Sequence, residues 1–120
     1  MSRTALVVDD SPTMQEMVAM SLTKAGFQVK KASNGKEGMA SLGTQFDLII
    51  TDLNMPEMDG ITFIKGLRAT AAHKFTPVLV LTTEGGADRK DQGRVAGATG
   101  WLTKPFDPEK LLAVVKKIVR

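Results

Sequence analysis

Five short runs of strand-forming residues alternate with helical patterns along the 120-residue chain, and this alternation restricts the fold more than any other feature. The runs are Ala5-Leu6-Val7-Val8, Gln28-Val29-Lys30-Lys31-Ala32, Leu48-Ile49-Ile50-Thr51, Val78-Leu79-Val80-Leu81 and a weaker Gly100-Trp101-Leu102. The first, third and fourth are continuously apolar, as central parallel strands covered on both faces are. The second alternates with polar residues and reads as an edge strand. Strands separated by helices pair in parallel through right-handed crossovers, with helices on both faces of the sheet. The expected class is therefore α/β, a three-layer sandwich around a five-stranded parallel sheet.

The intervening segments carry helical signals. From Pro12 to Ala25, apolar Met14, Met17, Val18, Leu22 and Ala25 recur at helical spacing, with Asp10 or Ser11 as cap, Pro12 in the first turn and Gly26 as stop. Gly35 to Leu42 is a shorter helix, Gly60 to Ala71 presents Phe63, Ile64 and Leu67, and a last helix from Asp107-Pro108 buries Leu111, Leu112, Val115, Ile118 and Val119. Gly85 to Ala96 differs: it has almost no apolar stripe and carries Gly93 inside. A helical glycine costs roughly 1 kcal/mol relative to alanine, so this helix is expected to be the least firmly held and the natural moving part.

The length supports one core rather than two, so a single domain over residues 1–120 is expected. With no cysteine, disulfides, thiolate zinc sites and cysteine nucleophiles are excluded. The net charge of +3 is scattered from Arg3 to Arg120 without a basic stripe, so no nucleic-acid partner is expected. The apolar run that stops at Asp9 is too short for a signal peptide, and no stretch approaches a membrane span. A cytoplasmic monomer without membrane contact is the expectation.

In open parallel sheets, ligands bind outside the carboxyl ends of the strands. There the sequence puts Asp9-Asp10 after the first strand, Asp52 after the third, Thr82-Thr83-Glu84 at the fourth and Thr103-Lys104-Pro105 at the fifth. Clustered carboxylates repel unless a cation sits among them, and an all-oxygen site that retains waters suits Mg²⁺. Asp10 and Asp52 are assigned as direct ligands, Asp9 as a direct or water-mediated one, and the Asn54 backbone carbonyl as a further one. A carboxylate so placed is also a nucleophile that has no proton to lose, so Asp52 is expected to accept a phosphoryl group, with Lys104 and the Thr82 hydroxyl meeting its oxygens. Strand alternation favours Thr82 over Thr83 for that role.

Asp9-Asp10, the run Ile50-Thr51-Asp52-Leu53-Asn54-Met55-Pro56-Glu57-Met58-Asp59-Gly60, Leu81-Thr82 and Lys104-Pro105-Phe106 resemble the receiver domain of two-component response regulators over essentially the whole chain. The resemblance implies a flavodoxin-like (βα)5 fold with strand order 2-1-3-4-5 and a cis Lys104-Pro105 bond. It implies Asp52 as phosphoacceptor, Asp9 and Asp10 as the acidic metal pair, Thr82 as the switch hydroxyl and Lys104 as the family's invariant lysine. Asp10-Ser11-Pro12-Thr13-Met14 and Gly97-Ala98-Thr99-Gly100-Trp101 are similar to stand-alone chemotaxis members. Those members imply a CheA-like histidine kinase as phosphate source, a FliM-like flagellar motor switch protein as reader, and a phosphatase as a further partner. One departure is Trp101, at an aromatic switch position where tyrosine or phenylalanine is usual.

Asn54 and Glu84 flank the site and are expected to tune phosphate lifetime by ordering or excluding water. The sole histidine, His73, lies in a polar stretch and is expected to be solvated, as are Lys110, Lys116 and Lys117. Two other functions fit the same sheet. A phosphate sink would share the chemistry and drain a shared kinase without an output partner. A receiver signalling outside motility would have a different reader. A flavin-binding module is disfavoured, because acidic strand ends repel a flavin phosphate.

Overall fold

Each apolar run forms a strand, and each is followed by a helix. In the computed structural model, which describes residues 3–119, the order is β1 (Arg3–Val8), α1 (Pro12–Lys24), β2 (Phe27–Ala32), α2 (Gly35–Ala40), β3 (Leu48–Thr51), α3 (Gly60–Arg68), β4 (Val78–Thr82), α4 (Ala87–Ala96), β5 (Gly100–Thr103) and α5 (Pro108–Ile118). Met1, Ser2 and Arg120, at the ends of the chain, lie outside the described residues. The strands pair in parallel in the order β2-β1-β3-β4-β5, so the alternating β2 is an edge strand.

The pleat divides the core in two. Ala5, Val7, Ile50, Leu79 and Leu81 pack with Val18 and Leu22 of α1 and Leu111 and Val115 of α5. On the other face Leu6, Val8, Ile49, Val78 and Val80 meet Phe63, Ile64 and Leu67 of α3. Each fully buried Leu, Ile, Val or Phe contributes roughly 1.5–3 kcal/mol, so the sheet is the rigid base for what its ends carry.

Helix starts are capped by short polar side chains. The side chains of Ser11, Asn34, Asp59 and Asp107 accept from the amides of Met14, Glu37, Thr62 and Glu109. Helix α4 begins at Gly86 without a side-chain cap and buries only Gly93 and Ala96, in keeping with its weak pattern. Its other end is anchored. Gly97 closes it at φ 119°, and the Gly97 carbonyl accepts Arg68 Nε at 3.1 Å and Nη2 at 2.7 Å. Arg68 Nη1 also donates to the carbonyls of His73, Lys74 and Thr76 at 3.0, 3.3 and 2.7 Å.

Two expectations need correction. Helix α3 ends at Arg68 rather than Ala71, because the Thr70 hydroxyl and amide both bond the Leu67 carbonyl at 2.7 and 3.1 Å and turn the chain. His73 is fully buried rather than solvated. Its ring lies 6.0 Å from the Phe46 ring, and its Nε2 accepts the Phe46 N–H at 3.3 Å. That bond puts the neutral ring's proton on Nδ1, which has no hydrogen-bond partner.

Burial, and then the positive charge of Arg68, hold the His73 imidazole below its ordinary value of 6.5, with the Thr44 backbone opposing. The folded protein therefore keeps His73 neutral where the unfolded chain protonates it. This contribution to stability is full above pH 6.5 and is lost as the pH falls from there toward the lower folded value. In urea titrations between pH 7.5 and 5, replacing His73 with Phe is expected to flatten this acid-side decline, which cannot exceed about 1.4 kcal/mol per pH unit for one proton.

Candidate functional site

The carboxyl ends of β1, β3 and β5 bring Asp9, Asp10, Asp52 and Lys104 together. One carboxylate oxygen from each aspartate lies within 4.8 Å of the others; Asp9 and Asp52 are buried and Asp10 is exposed. Lys104 Nζ bridges two of them, 2.8 Å from Asp9 Oδ2 and 2.7 Å from Asp52 Oδ2. The remaining oxygens of that pair face backbone amides. Asp9 Oδ1 accepts Ser11 N–H at 3.0 Å, and Asp52 Oδ1 accepts Leu53 N–H at 2.6 Å and, more weakly, Asn54 N–H at 3.4 Å.

Local structure accounts for these placements. Asp9 and Asp52 follow the last paired residues of β1 and β3, Val8 and Thr51. The Asp52 amide bonds the Val8 carbonyl at 3.0 Å and so ties the two strand ends. Helix α3 starts hard against that bend. A Cβ at Gly60 would fall 2.1 Å from the Asp52 carbonyl oxygen, so only glycine fits after Asp59. The intervening loop holds Glu57 at φ 68°, with its Oε2 accepting Asn34 Nδ2 at 2.9 Å. The Lys104-Pro105 bond is cis.

The electrostatics follow from burial and pairing. Burial is the largest influence on Asp9 and raises its pKa above 3.8; the Lys104 hydrogen bond and charge and the Ser11 amide oppose it, and the Asp52 charge adds to it. For Lys104 burial again acts first, here against the charge, but the bonds and charges of Asp52 and Asp9 outweigh it and raise its pKa above 10.5. Three carboxylates and one ammonium leave about two negative charges when all are ionised. An oxygen-only donor set with that excess fits a small divalent cation such as Mg²⁺.

The other expected site residues sit around this cluster. Thr82 ends β4 fully buried, and its Oγ1 accepts Glu84 N–H at 3.3 Å; Thr83 is exposed. Glu84 Oε1 accepts Asn54 Nδ2 at 3.1 Å, closing a bridge between the loops after β4 and β3. Trp101 Nε1 donates to the Glu84 carbonyl at 3.0 Å, and its ring covers Gly93, where a Cβ would lie 2.7 Å from Cζ3. Gln15 was not among the expected residues. It is buried on α1 and donates to the Asp9 carbonyl at 2.6 Å. Its signal in the sequence is a polar residue three positions before Val18 on the buried face.

A parallel sheet in this order with an acidic cluster at its carboxyl edge defines a class: α/β proteins that handle charged groups beyond their strand ends. The profile described as "Response regulator receiver domain" matches residues 5–116, and the chain belongs to that family as a CheY-like receiver domain. Its structure is similar to that of the Vibrio cholerae chemotaxis protein CheY4, with a TM-score of 0.95 and 43% identity over 99% of this chain and 100% of that one. In sequence it is 40% identical to the DNA-binding dual master transcriptional regulator RpaA of Synechocystis, over 96% of this chain and 48% of the relative. It is 35% identical to the transcriptional regulatory protein SrrA of Staphylococcus aureus, over 100% of this chain and 49% of the relative. The chain thus spans about half the length of these curated relatives. Among the described residues no helix is long and apolar enough to cross a membrane.

Replacing Lys104 with Met leaves Asp9 and Asp52 facing each other without their shared cation. A loss of about 3 kcal/mol in urea unfolding at pH 7 is expected. Millimolar Mg²⁺ should recover more of it in the variant than it adds to the native protein.

Proposed function

We propose that this chain is a phosphoryl-accepting switch: Asp52 takes a phosphoryl group from a histidine kinase, and a partner reads the resulting change in shape. The observation that supports this most is the Lys104 ammonium seated between Asp9 and Asp52 beside Asp10. The oxygens of Asp9, Asp10 and Asp52, with the Asn54 backbone carbonyl, would hold Mg²⁺. When bound, that ion draws charge from the phosphoryl oxygens and orients them.

The chain's own groups account for the rest. An Asp52 oxygen forms the new bond to phosphorus while the donor's bond to phosphorus breaks and the donor leaves with the electron pair. No general base is needed, because a carboxylate nucleophile has no proton to lose. Lys104 passes from Asp52 Oδ2 to a phosphoryl oxygen. The Thr82 hydroxyl, whose oxygen already accepts the Glu84 amide, retains its hydrogen to donate to another. Charge-assisted bonds are worth about 1.5–3 kcal/mol each, and turning a 1:99 balance into 99:1 takes about 5.5 kcal/mol. Two such contacts approach a full switch without a large excess, so the unphosphorylated chain is expected to sample the active form. The Asn54–Glu84 bridge joins the loops after β3 and β4, and the Asn54 amide faces Asp52 Oδ1 at 3.4 Å, which supports a role for both in phosphate lifetime. The Trp101–Glu84 bond links the same loop to β5 and supports Trp101 as the residue that relays the change.

For the output, the likeness to CheY4 supports a motor reader of the FliM type. The likeness to two transcriptional regulators supports signalling outside motility, and we take the broader reading, a receiver with a phosphorylation-dependent partner, as the conclusion. A phosphate sink would show the same chemistry with no gain in partner affinity.

Incubation with Mg²⁺ and acetyl phosphate is expected to give one phosphoryl adduct by intact mass and a change in Trp101 emission. Both should vanish in Asp52→Asn and on chelation of the metal. An adduct that persists in Asp52→Asn refutes the site, and Glu84→Ala is expected to alter the adduct's half-life severalfold.

A further inference from the structure

Gln15 occupies a place that the helical pattern reserves for an apolar residue. It shares the buried face of α1 with Val18, Ala19 and Leu22 and is 8% exposed. Its Nε2 donates to the Asp9 carbonyl at 2.6 Å and to the Ala32 carbonyl at 3.0 Å, with Ser33 Oγ marginal at 3.5 Å. A primary amide carries two N–H hydrogens, so the two carbonyls use both. They also fix which way the amide faces, because only its nitrogen end can meet two backbone oxygens.

These carbonyls lie where the β1–β2 ladder ends. Val8 and Ala32 are the last paired residues, and Asp9 N–H makes a final bond to the Ala32 carbonyl at 3.0 Å. Beyond that rung the chain leaves the sheet, and the Asp9 carbonyl meets the Gln15 amide instead of a strand neighbour. That carbonyl belongs to the peptide plane joining Asp9 to Asp10. Holding that plane constrains ψ of Asp9 and φ of Asp10, and with them the directions of the two Cα–Cβ bonds that carry the carboxylates.

We propose that Gln15 is a positioning residue whose amide locks the Asp9–Asp10 peptide, keeps both carboxylates turned toward Asp52, and thereby sets the pocket's affinity for a divalent cation. This rests on the metal-assisted reading above. A side chain that acts through the backbone of a ligand resembles the supporting groups of other metal sites, whose loss costs about 10–100-fold in affinity.

The test uses Gln15→Met, which keeps length and volume but removes both donors, with Gln15→Leu as the second variant should the first not fold. Val18→Ala serves as a control that softens the same helix face without touching the amide. Calorimetric titration of the unphosphorylated full chain with Mg²⁺ should show affinity falling about tenfold in Gln15→Met and staying within about twofold in the control. Native-like affinity in Gln15→Met, or an equal fall in Val18→Ala, overturns the proposal. Hydrogen exchange on metal-free protein separates it from the parent reading. The Ser11 amide, which donates to Asp9 Oδ1, should exchange faster in Gln15→Met and not in Val18→Ala. If the native protein takes up no Mg²⁺, the metal-assisted reading fails and the role of Gln15 in setting affinity falls with it; unchanged Ser11 exchange in Gln15→Met would then show that the peptide lock itself is absent.

Discussion

The Lys104 ammonium is what lets the carboxyl edge of this sheet exist in its observed form. Asp9 and Asp52 are both buried, and two carboxylates brought together repel unless a cation sits between them. Lys104 lies 95 residues from one and 52 from the other along the chain, yet the parallel order delivers all three to the same edge. Coulombic attraction alone would not justify burying these charges, since desolvation offsets much of it. The backbone amides of Ser11, Leu53 and Asn54 satisfy the outward lone pairs, and they do so because the chain bends sharply after β1 and β3. The result is a pocket pre-paired on one side and still short of positive charge on the other, where Asp10 is exposed. A small divalent cation entering there would meet carboxylate oxygens already gathered within 4.8 Å of one another.

Helix capping is uneven along the chain. Helices α1, α2, α3 and α5 start on side-chain caps, whereas α4 starts on Gly86 with none. Its far end is gripped by Arg68 at the Gly97 carbonyl. The uncapped end of α4 is thus the end next to Thr82 and Glu84. The Trp101–Glu84 bond ties β5 to the same loop.

The sheet and the acidic cluster were legible in the sequence for one reason: Asp9 and Asp52 directly follow strand-forming runs, Asp10 follows Asp9, and strand ends in a parallel sheet meet at one edge. Ser11 was legible as one of two candidate caps for α1, with Asp10 the other, because capping is local. The extra turn assigned to α3 failed because Thr70 competes for the Leu67 carbonyl, a choice that propensity does not weigh. His73, Gln15 and Arg68 were not legible as structural residues. Their polarity argues for solvent, and their places depend on backbone groups from other segments: the carbonyls of Asp9 and Ala32 for Gln15, that of Gly97 for Arg68, and the Phe46 N–H for His73.

Gly93 changes meaning once the fold is known. In sequence it marks a helix that should fray, since glycine costs about 1 kcal/mol in a helix interior. In the structure it is the floor beneath Trp101, and a methyl group there would collide with the indole. An indole is larger than the tyrosine or phenylalanine usual at this position, and the space it needs is taken from α4 itself. The helix gives up intrinsic stability to seat a large aromatic ring whose N–H reaches the loop after β4, and burial of such a ring offsets the loss. Gly93 and Trp101 are therefore matched: the indole occupies the space that a side chain on α4 would fill.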